Sequence, residues 1–104
     1  MGKINLAITG CMGRMGQQLI KSAIKDKSTK LVALTENRSI NKKINGIRPE
    51  LNTEKALGKA NVIIDFTIPK CTFEVLRIAT KLKKKVVIGT TGFTKKEEDL
   101  IKKF

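Results

Sequence analysis

The sequence predicts an α/β domain in which an open parallel sheet is flanked by helices. Short apolar runs alternate along the chain with segments of helical periodicity, and a glycine-rich turn joins the first run to the first helical segment. Strands that alternate with helices form parallel sheets with right-handed crossovers. At 104 residues, the chain is predicted to form one domain over residues 1–104.

The predicted strands are the apolar runs at residues 3–9, 30–35, 61–66 and 85–89. The run at 3–9 is apolar enough on both faces to be a buried parallel strand, and the run at 61–66 is the most convincing buried strand in the chain. Residues 46–51 could form a stunted strand, which Pro49 would confine to a sheet edge because proline cannot donate a hydrogen bond to a neighbouring strand.

Four helices are predicted between and after these strands. The first carries an apolar stripe expected to face the sheet, formed by Met15, Leu19, Ile20, Ala23 and Ile24. In the second, Asn52 or Thr53 is the cap and Gly58 the end. The third begins at Pro69, and its side chains expected to face the core are Phe73, Leu76, Ala79 and Leu82. The fourth opens with a capping box from Thr94 to Glu97 and turns inward Leu100, Ile101 and Phe104.

The glycine-rich turn contains Gly10, Gly13 and Gly16, at a spacing of three residues. Gly10 is expected to allow a tight turn, Gly13 to let backbone N–H groups face a pyrophosphate, and Gly16 to let the helix lie close against the strand. Met12 stands where the usual dinucleotide fingerprint has glycine, and a turn that serves packing alone is the alternative. The strand before and the helix after favour a dinucleotide site of the Rossmann type.

Glu36 lies 20 residues after Gly16, at the end of the second predicted strand. A carboxylate there can accept both hydroxyls of an adenosine ribose, the alternative being a surface glutamate. Asn37 and Arg38 follow, and an arginine beside the ribose acid would favour the 2′-phosphate of NADP.

The remaining candidate positions also follow predicted strands. Asp65 either faces the crevice or, as we prefer, caps the following turn, because a buried unpaired charge is expensive. We expect the strand order to switch between the first and third strands, with the Gly10 turn, Glu36, residues 65–68 and residues 89–91 along one sheet edge.

Composition narrows the function classes. The net charge is +13 with no Tyr or Trp, which predicts a general attraction to polyanions but no specific nucleic-acid function. Two cysteines, Cys11 and Cys71, with no histidine predict reduced structural thiols and no metal site. The chain shows neither a signal-peptide pattern nor a membrane-spanning apolar run, so we expect a cytoplasmic protein without a membrane partner.

Three motifs in order resemble the N-terminal domain of the 4-hydroxy-tetrahydrodipicolinate reductases, also called dihydrodipicolinate reductases, of lysine and diaminopimelate biosynthesis. They are residues 13–16, the segment Asp65-Phe66-Thr67 followed by Pro69, and the segment Gly89-Thr90-Thr91-Gly92-Phe93. The resemblance covers the whole chain. It implies hydride transfer from NADH or NADPH to a dihydropyridine dicarboxylate. It also implies that residues 10–15 bind the pyrophosphate, Glu36 the adenosine ribose, and residues 89–91 the nicotinamide end.

The cofactor-binding residues are therefore predicted to be Gly10, Cys11, Met12, Gly13, Arg14, Met15, Glu36, Asn37, Arg38, Gly89, Thr90 and Thr91. The family often has arginine where this chain has Asn37. Its C-terminal domain, which carries a His-His-x-x-Lys segment for the dicarboxylate and builds a homotetramer, has no counterpart in this sequence. We therefore predict no catalytic residue here, and we expect a fragment truncated before the substrate and tetramerisation domain, inactive alone and prone to self-association at an open apolar edge.

Other classes remain as alternatives. One is a stand-alone nucleotide-binding or sensing module without catalysis, which the missing histidines would suit. Another is a basic nucleic-acid binder. A third is a methyltransferase using S-adenosylmethionine, although residues 89–93 have no obvious place in it.

Overall fold

The computed structural model describes residues 4–38, 40–89 and 94–101. In chain order, its elements are β1 (Ile4–Thr9), α1 (Arg14–Lys25), β2 (Thr29–Thr35), α2 (Glu54–Leu57), β3 (Val62–Asp65), α3 (Pro69–Leu82), β4 (Lys85–Ile88) and α4 (Lys95–Ile101). The four predicted strands and four predicted helices are confirmed, with bounds close to those expected. Within these described ranges, no helix has both the length and the apolar character needed to span a membrane.

All strand pairs are parallel, and the strands lie in the order β2-β1-β3-β4. β1 pairs with β2 on one side and with β3 on the other, for example through Ile8 with Leu34 and Ile8 with Ile64. From β1 the chain passes to β2 on one side of the sheet, and β3 and β4 lie on the other side. This order confirms the predicted switch point between β1 and β3. In open α/β sheets, the crevice beyond the carboxyl ends of such strands is where ligands bind.

Helices cover both faces of the sheet, because successive strand residues point to opposite sides. On one face Ala7 and Ile63 pack with Leu57 of α2 and Val75 of α3. On the other, Ile8 packs in a second cluster whose buried members are Cys11, Ile20 and Leu34. The two buried clusters fix the positions of α1 and α3 and, through them, the turns at the sheet edge.

The apolar stripe predicted on α1 is only partly confirmed. The helix buries Gly16, Ile20 and Ala23, whereas Met15 is 51% and Ile24 50% exposed. At about 100° of rotation per residue, Met15 and Ile24 lie roughly a quarter turn to either side of the buried line. The prediction that these two side chains face the sheet was wrong, because the contact with the sheet is narrower than the stripe.

Local capping predictions are confirmed at two helices. In α2, the N–H of Ala56 donates to Thr53 Oγ1 at 3.1 Å, so Thr53 rather than Asn52 is the cap. At α4, the N–H of Thr94 donates to Glu97 Oε1 at 2.9 Å and the N–H of Glu97 to Thr94 Oγ1 at 3.2 Å, a complete capping box. The predicted inward Ile101 is partly buried, while Phe104 lies outside the described residues.

The stunted strand predicted at residues 46–51 is reduced to two isolated bridges, of which only that of Glu50 joins the segment to β2. Glu50 pairs with Thr35 on the outer side of β2. Its N–H donates to the Leu34 carbonyl and its own carbonyl accepts the Glu36 N–H, both at 2.9 Å. Pro49, directly before it, has no N–H to extend the pairing, so the segment adds one ladder rung at the sheet edge.

Candidate dinucleotide site

A cleft of about 230 Å³ lies at the carboxyl ends of β1, β2 and β3. Its walls come from three separate parts of the chain: Gly10, Gly13, Glu36, Asn37, Phe66, Thr67 and Ile68. The predicted convergence of the glycine-rich turn, Glu36 and the segment after β3 is therefore confirmed. The first two belong to the turn between β1 and α1, the next two follow β2, and the last three follow β3.

The turn from Gly10 to Gly13 has the tight geometry that the sequence predicts. Gly10 has a φ of +68°, a conformation that residues with a Cβ rarely adopt. A Cβ at Gly10 would also overlap the carbonyl oxygen of Phe66. The N–H of Gly13 donates to the Gly10 carbonyl at 3.0 Å and closes the turn.

Gly16 allows a close approach between α1 and the backbone that follows β1. A Cβ at Gly16 would overlap the Gly10 carbonyl oxygen and lie 2.9 Å from the Cys11 Cα. The close approach predicted for Gly16 is confirmed, and the nearest atoms belong to Gly10 and Cys11, which directly follow β1. This contact brings the N-terminus of α1 directly to the turn.

Gly13 is the N-cap of α1, with an extended backbone and a φ of −73°. Because glycine has no side chain, it cannot cap the N–H groups of the helix's first turn. Uncapped N–H groups and the positive end of the helix dipole together form an anion-binding position. At this position the cleft can accept a phosphate, as Gly13 also lines it.

Glu36 directly follows β2 and is only 9% exposed, so the alternative that it is a surface glutamate was wrong. Its Oε2 accepts the backbone N–H of Met12 at 3.0 Å and its Oε1 accepts the N–H of Asn37 at 3.0 Å. A carboxylate has about four acceptor positions, so Glu36 retains capacity for ligand hydroxyls. The bond to Met12 joins residues 24 apart, and no local sequence pattern indicates it.

Cys11 connects the glycine-rich turn to β2 through its backbone, while its side chain packs in the core. Its side chain is fully buried, and its N–H donates to the Thr35 carbonyl at 3.2 Å. Burial raises the pKa of the Cys11 thiol to about 11, and the nearby Glu36 charge acts in the same direction. The thiol is therefore a neutral group packed in the core cluster with Ile8 and Ile20, as predicted for a structural thiol.

The remaining candidates lie close in the chain to residues that line the cleft. Arg14 and Met15 are exposed at the start of α1, and Arg38 is exposed after Asn37. Asn37 lines the cleft, whereas the partly buried Met12 lines a separate surface hollow with Gln17 and Ile44. The exposed side chains of Arg14, Met15, Asn37 and Arg38 are available to a bound ligand.

Asp65 is fully buried, so the alternative that it faces the crevice was wrong. Its carboxylate accepts hydrogen bonds from the hydroxyls of Thr9, Thr67 and Thr72. The N-cap of α3 is Ile68, without a side-chain cap bond, and Asp65 instead stabilises this turn through the hydroxyls around it. The hydroxyl partners on β1 and α3 were missed, because nothing in the local sequence shows that they meet.

Gly89 completes the described part of this edge. Its N–H donates to the Asp65 carbonyl at 2.8 Å, and a Cβ there would overlap the Phe66 ring. Gly89 therefore lies against one wall of the cleft. The other predicted residues of this segment, Thr90 and Thr91, lie outside the described residues, as do Gly92 and Phe93.

Basic residues form a separate group at the opposite edge of the sheet. Lys83, Lys84 and Lys85 surround a surface hollow together with Ile4 and Asn61. Ile4 and Lys85 begin β1 and β4, so this hollow lies at the amino ends of the strands. It is thus remote from the cleft at their carboxyl ends.

Comparison with known proteins points to one family. The family model described as "Dihydrodipicolinate reductase, N-terminus" matches residues 4–104. A 4-hydroxy-tetrahydrodipicolinate reductase of Pelagibacter ubique (strain HTCC1062) is 66% identical over all of this chain and 40% of its own length. One from Buchnera aphidicola subsp. Acyrthosiphon pisum (strain Tuc7) is 40% identical over 98% of this chain and 42% of its own length.

A solved structure agrees with these sequences. The dipicolinate-bound dihydrodipicolinate reductase from Paenisporosarcina sp. TG-14 superposes with a TM-score of 0.76 at 28% identity, over 94% of this chain and 41% of that one. The chain thus spans about 40% of the length of the curated relatives that it matches. It belongs to the dihydrodipicolinate reductase family and corresponds to the N-terminal, Rossmann-type domain of those enzymes.

Proposed function

We propose that this chain is the cofactor-binding part of a 4-hydroxy-tetrahydrodipicolinate reductase. The observation that carries the proposal is the cleft in which the uncapped N-terminus of α1, the glycine-rich turn and the Glu36 carboxylate converge. In the complete enzyme, a nicotinamide dinucleotide bound here would supply the hydride that reduces a dihydropyridine dicarboxylate on the diaminopimelate route to lysine.

The residues of the cleft fit a dinucleotide in a definite direction. The N–H groups at the start of α1, with Gly13 leaving space beside them, suit a pyrophosphate. The free acceptor positions of Glu36 suit the hydroxyls of the adenosine ribose. The nicotinamide end would then extend toward Gly89 and the residues that follow it, Thr90 and Thr91.

We infer that NADH binds more tightly than NADPH. Two backbone N–H groups hold the Glu36 carboxylate in place, so it cannot easily turn away from a ribose 2′-phosphate of like charge. The next residue, Asn37, has no charge to offset this repulsion. Arg38, two residues after Glu36, is exposed and supplies a compensating cation, which leaves measurable but weaker NADPH binding.

Substrate binding and assembly belong, in this proposal, to the remainder of a full-length reductase. Reduction of the dicarboxylate needs a proton donor and cationic partners for two carboxylates, and this chain contains no histidine. We expect the chain alone to bind the dinucleotide without turnover. We assign the dicarboxylate site and the homotetramer to the complete protein, and a reductase rate that stays with the purified chain would contradict this division.

Titration with NADH and NADPH, followed by nicotinamide fluorescence, tests the proposal. We expect saturable binding of both, tighter for NADH, and competition by ADP, which shares the adenosine and pyrophosphate groups. A single-stranded polynucleotide at the same salt concentration is the control for the net charge of +13. Binding of the polynucleotide with no nicotinamide signal would favour the nucleic-acid alternative, with the lysines at the opposite sheet edge as its site.

A further inference from the structure

Glu36 connects the two halves of the cleft before any ligand is present. Its Oε2 accepts the N–H of Met12 in the glycine-rich turn, and its Oε1 accepts the N–H of Asn37 after β2. Its own N–H donates to the Glu50 carbonyl at 2.9 Å, which fixes its backbone to the sheet edge. The side chain therefore extends from an anchored backbone to the turn.

Other hydrogen bonds also hold the turn, and one of them, from Gln17 Nε2 of α1, is accepted by the Met12 carbonyl at 2.9 Å. Cys11 donates its N–H to Thr35, and Gly13 donates its N–H to Gly10 within the turn. The Met12 N–H, between them, has the Glu36 carboxylate as its acceptor. A hydrogen bond to a charged carboxylate is stronger than one between neutral groups, so this bond is a principal restraint on the middle of the turn.

We propose that Glu36 is a positioning residue for the pyrophosphate, in addition to its role toward the ribose. By holding the Met12 N–H, it keeps the glycine-rich turn in its phosphate-binding conformation in the free protein. The inference rests on the proposed function, because it concerns the same nucleotide cleft. If this is so, loss of the Glu36 charge weakens the binding even of ligands that lack ribose hydroxyls.

A pair of ligands separates this role from ribose binding. ADP carries the ribose hydroxyls, and 2′,3′-dideoxy-ADP lacks both while it retains the pyrophosphate. If Glu36 serves the ribose alone, Glu36→Gln leaves the affinity for the dideoxy ligand unchanged, or raises it because a negative charge near the pyrophosphate is removed. If Glu36 positions the turn, the same variant binds the dideoxy ligand at least threefold more weakly.

Glu50→Gln is the matched control, since it removes a nearby carboxylate that pairs with Lys59 at the surface and has no bond to the turn. We expect this variant to bind both ligands as the wild type does. Circular dichroism and urea unfolding of both variants establish that each is folded before its affinity is compared.

Amide hydrogen exchange supplies a readout that needs no ligand. We expect the Met12 amide to exchange at least tenfold faster in Glu36→Gln than in the wild type, with the amide of Ala23, a buried residue farther along α1, unchanged. Unchanged Met12 exchange, or undiminished binding of dideoxy-ADP, would overturn the inference. If the wild type binds neither ADP nor dideoxy-ADP, the proposed function fails, while the exchange rates still decide whether Glu36 holds the turn.

Discussion

Gly10 lies so close to Phe66 that a Cβ at position 10 would overlap the Phe66 carbonyl oxygen. The glycine-rich turn after β1 and the segment after β3 therefore meet backbone to backbone. This contact forms the floor of the cleft, since both residues line it. The shape of the site thus depends on a position where no other residue fits.

Gly10→Ala should lower the free energy of unfolding by at least about 3 kcal/mol, because it adds a steric overlap to an unfavourable positive φ. Gly46→Ala is the matched control: Gly46 has a φ of +75°, but a Cβ at this position would meet no atom within 4 Å, so about 1 kcal/mol is expected. Urea unfolding measures both. Equal losses in the two variants would show that the Phe66 contact contributes nothing.

Gly13→Leu should leave the fold intact and weaken NADH binding at least tenfold. The φ of Gly13 is −73°, which any residue can adopt, and a Cβ would stand 3.3 Å from the Gly10 carbonyl oxygen. The added side chain would project at the phosphate position of the cleft. Ser22→Leu, at an exposed site of the same helix, is the control, and fluorescence titration gives both affinities. Unimpaired NADH binding by Gly13→Leu would contradict the assignment of the turn.

Thr72→Val should destabilise the fold by about 2 kcal/mol, because it removes a hydroxyl that donates to the fully buried Asp65 carboxylate. Thr80→Val makes the same chemical change on the exposed side of α3 and should alter stability by less than about 0.5 kcal/mol. Thermal or urea unfolding of the two variants provides the comparison. A loss in Thr72→Val no greater than in Thr80→Val would show that the buried carboxylate does not need this hydroxyl.

Cys11 should resist alkylation in the folded chain. At pH 9 a thiol with the ordinary pKa of 9.0 is about half ionised, whereas one with a pKa of about 11 is roughly 1% ionised. Burial slows access further, so we expect iodoacetamide to modify Cys11 at least about 50-fold more slowly in buffer than in urea. Mass spectrometry of timed samples measures the rates, and equal rates in buffer and urea would refute the buried neutral thiol.

Asn37→Arg should shift cofactor preference toward NADPH. A guanidinium directly after Glu36 can pair with a ribose 2′-phosphate, so the ratio of NADPH to NADH affinity should rise about tenfold. Asn41→Arg adds the same charge at another exposed position of the loop and tests for a general electrostatic effect. Equal shifts in the two variants would mean that position 37 has no special relation to the ribose.

Local chemistry was sufficient to predict most elements of the fold. The cap at Thr53 and the box from Thr94 to Glu97 depend on residues within one helical turn of each other, so the sequence contains all their partners. The strands follow from runs of apolar residues, and the switch in order between the first and third strands follows from the general pattern of open α/β sheets. The glycines at positions 10, 13 and 16 and the carboxylate at position 36 indicated the cleft because a glycine-rich turn followed about 20 residues later by an acid is typical of a dinucleotide site.

Contacts between residues that are distant in the sequence could not be predicted from local sequence patterns. The bond from Met12 to Glu36 and the hydroxyls around Asp65 depend on the register of β1 against β2 and β3, which apolar periodicity does not specify. Met15 and Ile24 were misassigned because hydrophobicity shows which side chains favour burial, whereas the width of the contact with the sheet decides which are buried.

A crystal structure of the chain with NADH tests the central claim most directly. We predict that the pyrophosphate lies within hydrogen-bonding distance of the N–H groups at the start of α1, and that the Glu36 carboxylate contacts the adenosine ribose hydroxyls. NADH bound elsewhere, or bound in the cleft with the Glu36 carboxylate far from any ribose, would contradict the account.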